Sequence, residues 1–237
     1  MALKPWQKHL LEPYNFIVER LLKNRVPQTH WKELLEVQAR AKKRTDVSSN
    51  LRKIFLETVK SKPKVIVELG VKSGESTFAF SRAAMITDAT LISVDIRDHS
   101  DSCDWDKWIF VQMDDLKFAK QFKTWCKKRK IPSTIDVLFI DTAHTYEHTK
   151  KEIKAYFPLL SKQAKVFFHD SNLSGWYRRS NFTIDKTWDC KRQVIRAVEE
   201  YFGVDFKEKN DFVAYAKGWM IENIAYCNGL LILEKIK

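Results

Sequence analysis

Two apolar segments of the chain each end in an aspartate, Asp141 and Asp170, and polar residues follow both. His144 comes three residues after Asp141, and its ordinary pKa near 6.5 would let it accept a proton from a hydroxyl group at neutral pH. Carboxylates such as these, with the amide of Asn172, are ligands that Mg²⁺ or Ca²⁺ prefers. These residues indicate proton abstraction beside a divalent cation. The alternative for His144 is a helix cap or a buried histidine bonded to the backbone.

A glycine turn follows an earlier apolar segment, in the sequence VIVELGVKSGEST. Gly70 and Gly74 allow a tight turn, and Ser76 lies where a helix begins, so backbone N–H groups face any ligand above. The spacing is E-x-G-x-x-x-G, which differs from the G-x-G-x-x-G of dinucleotide-binding enzymes, and Glu68 would repel a pyrophosphate. A zwitterionic ligand suits both the turn and the carboxylate.

These residues resemble motif I of the class I S-adenosylmethionine-dependent methyltransferases. The resemblance implies that Glu68 meets the ammonium group of the cofactor's methionine moiety and that the turn from Gly70 to Ser76 accommodates its carboxylate. It also implies that Asp95 binds both ribose hydroxyls, a task that suits a carboxylate because it accepts two donors. Asp114 or Asp115 lies where the adenine-contacting segment is expected.

The D-x-x-H-x-Y…H-D pattern is similar to the catechol, macrolide-sugar and cephalosporin-hydroxylase-like branch of this family. In catechol-type members the first aspartate binds Mg²⁺, a base lies three residues on, and an Asp-Asn pair supplies two more ligands. Asp141, His144 and Asp170 match those positions. Ser171 stands where the asparagine is expected, and Asn172 comes one residue later.

The resemblance covers roughly residues 50–237 and implies an O-methyltransferase that acts on a hydroxyl of a small molecule or glycan, with S-adenosylmethionine as cofactor and a divalent cation such as Mg²⁺ assisting. Two alternatives remain open. A net charge of +12 would attract nucleic acid, as in a nucleic-acid methyltransferase. A Rossmann-like protein could also bind the cofactor without transferring a methyl group.

Apolar β-branched segments alternate with helix-compatible sequence, which predicts a parallel sheet. The strand candidates are KVIVELG, TLISVDI, WIFVQMDD, IDVLFID, AKVFFHD and the final CNGLLILEKI, where Asn228-Gly229 is a hairpin signal. We expect an α/β, Rossmann-like, mostly parallel sheet with helices on both faces and an antiparallel last strand, and the resemblance supplies a count of seven strands. Residues 1–47 are expected to form a helical extension that covers the cofactor or a dimer partner, and 48–237 the methyltransferase domain.

The composition fits one enzyme-sized domain of 237 residues. No apolar run approaches the roughly 20 residues of a membrane span, and the N-terminus lacks the features of a secretory signal, so a cytoplasmic location is expected. Four scattered cysteines predict neither a zinc site nor disulfides. The run KKRK at 127–130 is interpreted as a helix C-terminus in preference to a nucleic-acid patch.

The segment 173–192 mixes aromatic residues with arginines, namely Trp176, Tyr177, Trp188, Arg178 and Arg179. A long loop of this composition suits a wall of the acceptor site, where it would contact a sugar ring or an acidic group. A surface loop pinned by tryptophans is the alternative. Among the remaining histidines, His169 is expected to pack in the core or to orient a neighbour, and His148 is expected to lie on the surface.

Overall fold

A computed structural model describes residues 31–43, 45, 47–173, 175–178, 183–186 and 191–236. The α-helices in these ranges are α1 (Trp31–Arg40), α2 (Leu51–Ser61), α3 (Glu75–Thr87), α4 (Asp115–Arg129), α5 (Tyr146–Tyr156) and α6 (Gln193–Phe202). The strands are β1 (Val65–Leu69), β2 (Thr90–Asp95), β3 (Trp108–Gln112), β4 (Ile135–Ile140), β5 (Leu160–His169), β6 (Trp176–Arg178), β7 (Ile184–Lys186), β8 (Phe212–Ala216), β9 (Trp219–Ile224) and β10 (Leu230–Lys235). The first 30 residues of the predicted helical extension lie outside the described ranges.

The main sheet has the strand order β3-β2-β1-β4-β5-β10-β9-β8. Its first five strands are parallel, and β10, β9 and β8 continue it with antiparallel pairing. The predicted Rossmann-like fold is therefore confirmed, with eight strands in place of the expected seven. The strands β8 (FVAYA) and β9 (WMIENI) were not predicted, and their burial alternates along the chain because one face of the sheet is less covered there.

Helices cover both faces of the sheet, as predicted. Val65, Val67 and Leu69 of β1 pack into a core with α4, α5 and α6, whereas Ile66 faces a second core with α1, α2 and α3. All five residues of β1 are buried, which explains its continuous apolar sequence apart from Glu68. The KKRK run forms the last turn and cap of α4, as expected.

The helix α1 packs against α3, the helix that follows the glycine turn. Arg40 Nε donates to Glu75 Oε2 over 2.8 Å, and Arg82 Nε donates to Glu36 Oε2 over 2.5 Å. The described cysteines Cys103, Cys126 and Cys227 form no disulfide. Within the described ranges, every helix is too short or too polar to cross a membrane.

Candidate active site

The glycine turn is held between two neighbouring loops by close backbone packing. Gly70 has φ +88°, and a Cβ atom on it would lie 2.1 Å from the carbonyl oxygen of Asp141. Gly74 has φ +72°, and its Cβ would lie 2.7 Å from the carbonyl oxygen of Ser102. Both positions therefore require glycine, because a side chain would meet backbone atoms that cannot move aside.

Glu68 is fully buried and bonded to three hydroxyl groups. Its Oε1 accepts a hydrogen bond from Ser76 over 2.6 Å, and its Oε2 accepts from Thr77 over 2.8 Å and from Ser93 over 2.5 Å. The Trp108 indole donates to Ser93 Oγ over 2.8 Å and completes the network. Burial raises the pKa of Glu68 to about 7, although the hydroxyl donors act in the opposite direction. Glu68 and Ser76, both expected to bind the cofactor, thus bind each other.

Asp95 ends β2 beside the glycine turn. Its Oδ2 accepts from the backbone amide of Val71 over 2.8 Å, and its Oδ1 accepts from the amide of Arg97 over 2.9 Å. The carboxylate is 14% exposed, and the next residue, Ile96, is 70% exposed. A partly accessible carboxylate therefore stands next to an open apolar side chain at the carboxyl end of the sheet.

Asp114 and Asp115 begin α4 and have different environments. Asp114 is the N-cap, and its Oδ1 accepts from the amide of Lys117 over 2.9 Å. The Asp115 carboxylate lies 3.0 Å from His148 Nε2, and this hydrogen bond raises the pKa of His148. The expected surface position of His148 is wrong, since its side chain is 23% exposed and packs between α4 and α5.

The ends of β4 and β5 bring Asp141, His144 and Asp170 together, as the sequence predicted. His144 Nε2 lies 3.4 Å from Asp141 Oδ1 and 3.4 Å from Asp170 Oδ2. We call these three residues the rim cluster, and one ligand-capable atom from each lies within 4.8 Å of the others. His144 has φ +49° and Asp170 has φ +57°, a conformation that non-glycine residues adopt at a cost.

The electrostatics of the rim cluster suit a bound cation. Burial alone would raise the pKa of Asp141, but the nearby His169, His144 and Lys72 lower it to about 2, so this carboxylate is charged. His169 is 2% exposed, and its Nδ1 lies 3.1 Å from Asp141 Oδ1. Oδ1 of Asp170 is buried without a hydrogen-bond partner among the described residues. His169 Nδ1 lies 3.3 Å from this oxygen, so its polar contact within the described ranges is with that imidazole. Two carboxylates that converge at one place are the ligands that a divalent ion prefers.

The loop that follows β5 is packed against the β9–β10 hairpin. Asn172 donates from Nδ2 to the carbonyl oxygen of Ala225 over 2.9 Å and from its backbone amide to Asn228 over 2.7 Å. Ser171 Oγ donates to Asn223 Oδ1 over 3.2 Å. The role of Asn172 as a third metal ligand stays a prediction, since its amide nitrogen is directed to the hairpin.

A second polar cluster lies beside the rim cluster, and the sequence interpretation missed it. Thr142 Oγ1 donates to Glu152 Oε1 over 2.6 Å, and His148 Nε2 lies 3.7 Å from the same oxygen. His148 and Glu152 stand four residues apart on α5, so the helical spacing was a signal that they share a face. Nothing local in the sequence indicated that Asp115 would join them.

The strands β6 and β7 form a short hairpin after the rim cluster, within the segment expected to form an acceptor wall. Trp176 is 70% exposed and Ile184 is 71% exposed. Lys186 Nζ lies 5.6 Å from the centroid of the Trp176 ring. Arg179, Trp188 and the side chains of Tyr177 and Arg178 lie outside the described part of the structure.

A family model described as a methyltransferase domain matches residues 67–171. This range begins in β1 and ends just after the rim cluster, so it contains the glycine turn, Asp95 and the carboxyl ends of the first five strands. Comparison with curated proteins found no significant sequence match.

The fold is similar to those of solved methyltransferases. A Podospora anserina methyltransferase with bound SAH is 12% identical, with a TM-score of 0.56 and 100% of each chain covered. A Bacillus cereus O-methyltransferase in complex with SAH is 14% identical, with a TM-score of 0.55. The match covers 93% of this chain and 97% of that protein's chain. The MycE methyltransferase from the mycinamycin biosynthetic pathway, in complex with Mg and SAH, is 15% identical, with a TM-score of 0.51, over 80% of this chain and 49% of its own. The domain match and these likenesses confirm the resemblance to class I S-adenosylmethionine-dependent methyltransferases.

Proposed function

We propose that this protein transfers a methyl group from S-adenosylmethionine to a hydroxyl oxygen of a small molecule or glycan. One observation carries the proposal: the glycine turn and the rim cluster lie at the same edge of the sheet, in backbone contact through Gly70 and Asp141. Ligands of open α/β sheets bind beyond the carboxyl ends of the strands. A cofactor on the turn would therefore lie beside a charged carboxylate and a histidine.

The cofactor is assigned to the loops that follow β1, β2 and β3. Asp95 would accept the ribose hydroxyls, and the exposed Ile96 offers an apolar surface to the adenine ring. Of the two aspartates expected near adenine we retain Asp114, because the carboxylate of Asp115 is directed to His148. We assign Glu68 and Ser76 to holding the start of α3 beneath the cofactor, since they bind each other. The direct contact between Glu68 and the methionine ammonium stays a prediction.

The rim cluster fits a divalent cation, with Asp141 and Asp170 as the protein ligands and Asn172 as the predicted third. When bound, the cation would polarise the acceptor hydroxyl and favour its deprotonated form. The MycE structure contains Mg, which supports a cation in a related fold. In this chain the support is the convergence of the Asp141 and Asp170 carboxylates, each of which has an oxygen 3.4 Å from His144 Nε2.

His144 is assigned as the general base. Its imidazole lies between the two carboxylates, which would orient the ring and stabilise the imidazolium that forms when the acceptor hydroxyl loses its proton. The acceptor oxygen forms a bond to the methyl carbon as the bond from that carbon to sulfur breaks, which leaves a methyl ether and S-adenosylhomocysteine. The task of the protein is to align oxygen, carbon and sulfur.

The β6–β7 hairpin supports a small acceptor with a ring. It begins a few residues after the rim cluster, and its exposed Trp176 suits stacking on a sugar or aromatic ring. The densest basic run, at 127–130, forms the C-terminus of the 15-residue α4. It therefore lies about 20 Å from the helix start at the rim. That position disfavours a nucleic-acid substrate bound through this run.

The test is calorimetric titration with S-adenosylmethionine and S-adenosylhomocysteine, followed by measurement of S-adenosylhomocysteine production on a panel of hydroxylated acceptors. Asp141→Asn should abolish methyl transfer and retain cofactor affinity, whereas Asp98→Asn, at an exposed loop carboxylate, should retain both. Failure to bind either ligand would overturn the proposal. Cofactor binding without turnover on any hydroxyl, amine or nucleic-acid acceptor would favour a binding protein without methyl transfer activity.

A further inference from the structure

The cluster of Asp115, His148 and Glu152 has no part in the proposed methyl transfer. One ligand-capable atom from each residue lies within 4.8 Å of the others. The elements α4 and α5 supply these residues, and the rim cluster uses none of them. We define Asp115, His148 and Glu152 as the inner cluster.

Glu152 is the unusual member of the inner cluster. Its side chain is fully buried, and its Oε2 has no hydrogen-bond partner among the described residues. The other oxygen, Oε1, accepts from Thr142 Oγ1 over 2.6 Å. Burial and the nearby charge of Asp115 raise the pKa of Glu152 well above its ordinary value. A buried carboxylate oxygen with no donor, next to a second carboxylate, is costly unless a proton or a cation neutralises the pair.

The distances in the inner cluster are close to those between ligands of one metal ion. Ligand atoms bound to a single Zn²⁺ at about 2.0–2.2 Å lie roughly 3 to 3.5 Å apart. His148 Nε2 lies 3.0 Å from Asp115 Oδ2, within this range, and 3.7 Å from Glu152 Oε1, slightly beyond it. Oε1 also accepts from Thr142, so a metal would draw on the carboxylate whose other oxygen, Oε2, has no partner among the described residues. A metal would take the place of the hydrogen bond between Asp115 and His148. The side chains of Asp115 and His148 are 11% and 23% exposed, so the cluster is accessible from solvent.

We propose that the inner cluster binds a divalent transition-metal ion of the Zn²⁺ type, at a site separate from the rim cluster. One imidazole with two carboxylates favours such an ion over Mg²⁺ or Ca²⁺, which prefer oxygen ligands alone. The N-termini of α4 and α5 carry partial positive charge that opposes a cation, and the two carboxylates offset it. The ion would fix α5 against α4, and through Thr142 it would hold the loop that begins at Asp141.

The test uses Co²⁺ as a spectroscopic probe in place of Zn²⁺. The wild-type chain, Glu152→Gln, His148→Gln and Asp170→Asn are titrated with Co²⁺ while visible absorption is recorded, and circular dichroism checks that each variant is folded. The wild type should show a saturating band that Zn²⁺ displaces. Glu152→Gln and His148→Gln should weaken Co²⁺ binding by more than the roughly 10- to 100-fold that outer-shell changes cost. Asp170→Asn, the matched control at the rim cluster, should retain the band.

Three results would overturn the proposal: no Co²⁺ band in the wild type, a band that persists in folded Glu152→Gln and His148→Gln, or a band lost only in Asp170→Asn. The last result would place the ion at the rim cluster. The absence of a band in the wild type would show that protons alone neutralise the inner cluster. Each outcome is independent of cofactor binding, so the proposed methyl transfer is tested separately.

Discussion

Gly70 and Asp141 lie in such close contact that a Cβ atom on Gly70 would stand 2.1 Å from the Asp141 carbonyl oxygen. The Asp141 amide also donates to the Leu69 carbonyl oxygen over 2.9 Å. The turn assigned to the cofactor and the strand end assigned to catalysis are thus one packed unit. A change in the turn should displace the rim cluster as well.

Gly70→Ala should therefore weaken both stability and cofactor binding. An alanine at φ +88° is strained by about 1 kcal/mol, and the backbone clash adds to that cost, so we expect a loss of more than 2 kcal/mol in urea denaturation. Gly203→Ala is the matched control, because Gly203 has φ +67° with no atom near its Cβ. Equal losses of stability and of cofactor affinity in the two variants would show that the contact between Gly70 and Asp141 is not important.

Glu68 should make the stability of the fold depend on pH. Its folded pKa of about 7 exceeds the ordinary 4.5, so the folded state binds more protons than the unfolded state between these values. The free energy of unfolding should then fall as pH rises from 4.5 to 7, by roughly 3 kcal/mol from this group. Denaturant titrations of wild type and Glu68→Gln at pH 5 and pH 8 measure this difference. An equal pH dependence in both proteins contradicts the assignment.

His144→Gln should slow methyl transfer by roughly 10²- to 10⁴-fold, the usual contribution of a general base. Affinity for S-adenosylhomocysteine should change little, because the histidine contacts the two rim carboxylates and is not among the residues assigned to the cofactor. Single-turnover rates across pH provide the measurement, with His144→Ala and added imidazole as a rescue control. A base role is excluded if the variant keeps the wild-type rate and pH profile.

Asp95→Asn should weaken cofactor binding by about tenfold, equivalent to about 1.4 kcal/mol, because an amide accepts ribose hydroxyls less strongly than a carboxylate does. The change also weakens the hydrogen bond from Val71 that supports the turn. Asp98→Asn provides the control. Asp98 lies three residues after Asp95, and its exposed carboxylate accepts from the backbone amide of Ser100. Calorimetry should show weaker cofactor binding for Asp95→Asn than for Asp98→Asn. Equal cofactor affinities would contradict a ribose contact at Asp95.

Much of the fold was predictable because its signals are local. The inner parallel strands β1, β2, β4 and β5 have buried segments on both faces, which appear as apolar runs in the sequence. A glycine or an acidic residue marks the end of each run. The same argument placed Asp141 and Asp170 on one edge, since parallel strands end at the same side. The β8 strand was not predicted, although its five residues are apolar. Its Val213 and Tyr215 are both 70% exposed, because β8 lies at the edge of the sheet with one face open.

The sequence by itself determined the order of the strands along the chain, the glycine turn and the pairing of Asp141, His144 and Asp170. Only the tertiary structure decided where the side chains of Glu68 and Asp115 are directed. Glu68 meets Ser93, 25 residues away, and Asp115 meets His148, 33 residues away. The first contact depends on the register between β1 and β2, and the second depends on how α4 packs against α5. No local pattern of residue types specifies either of them. Periodicity reports which face of an element is buried, whereas the partner of a buried carboxylate is set by the fold as a whole.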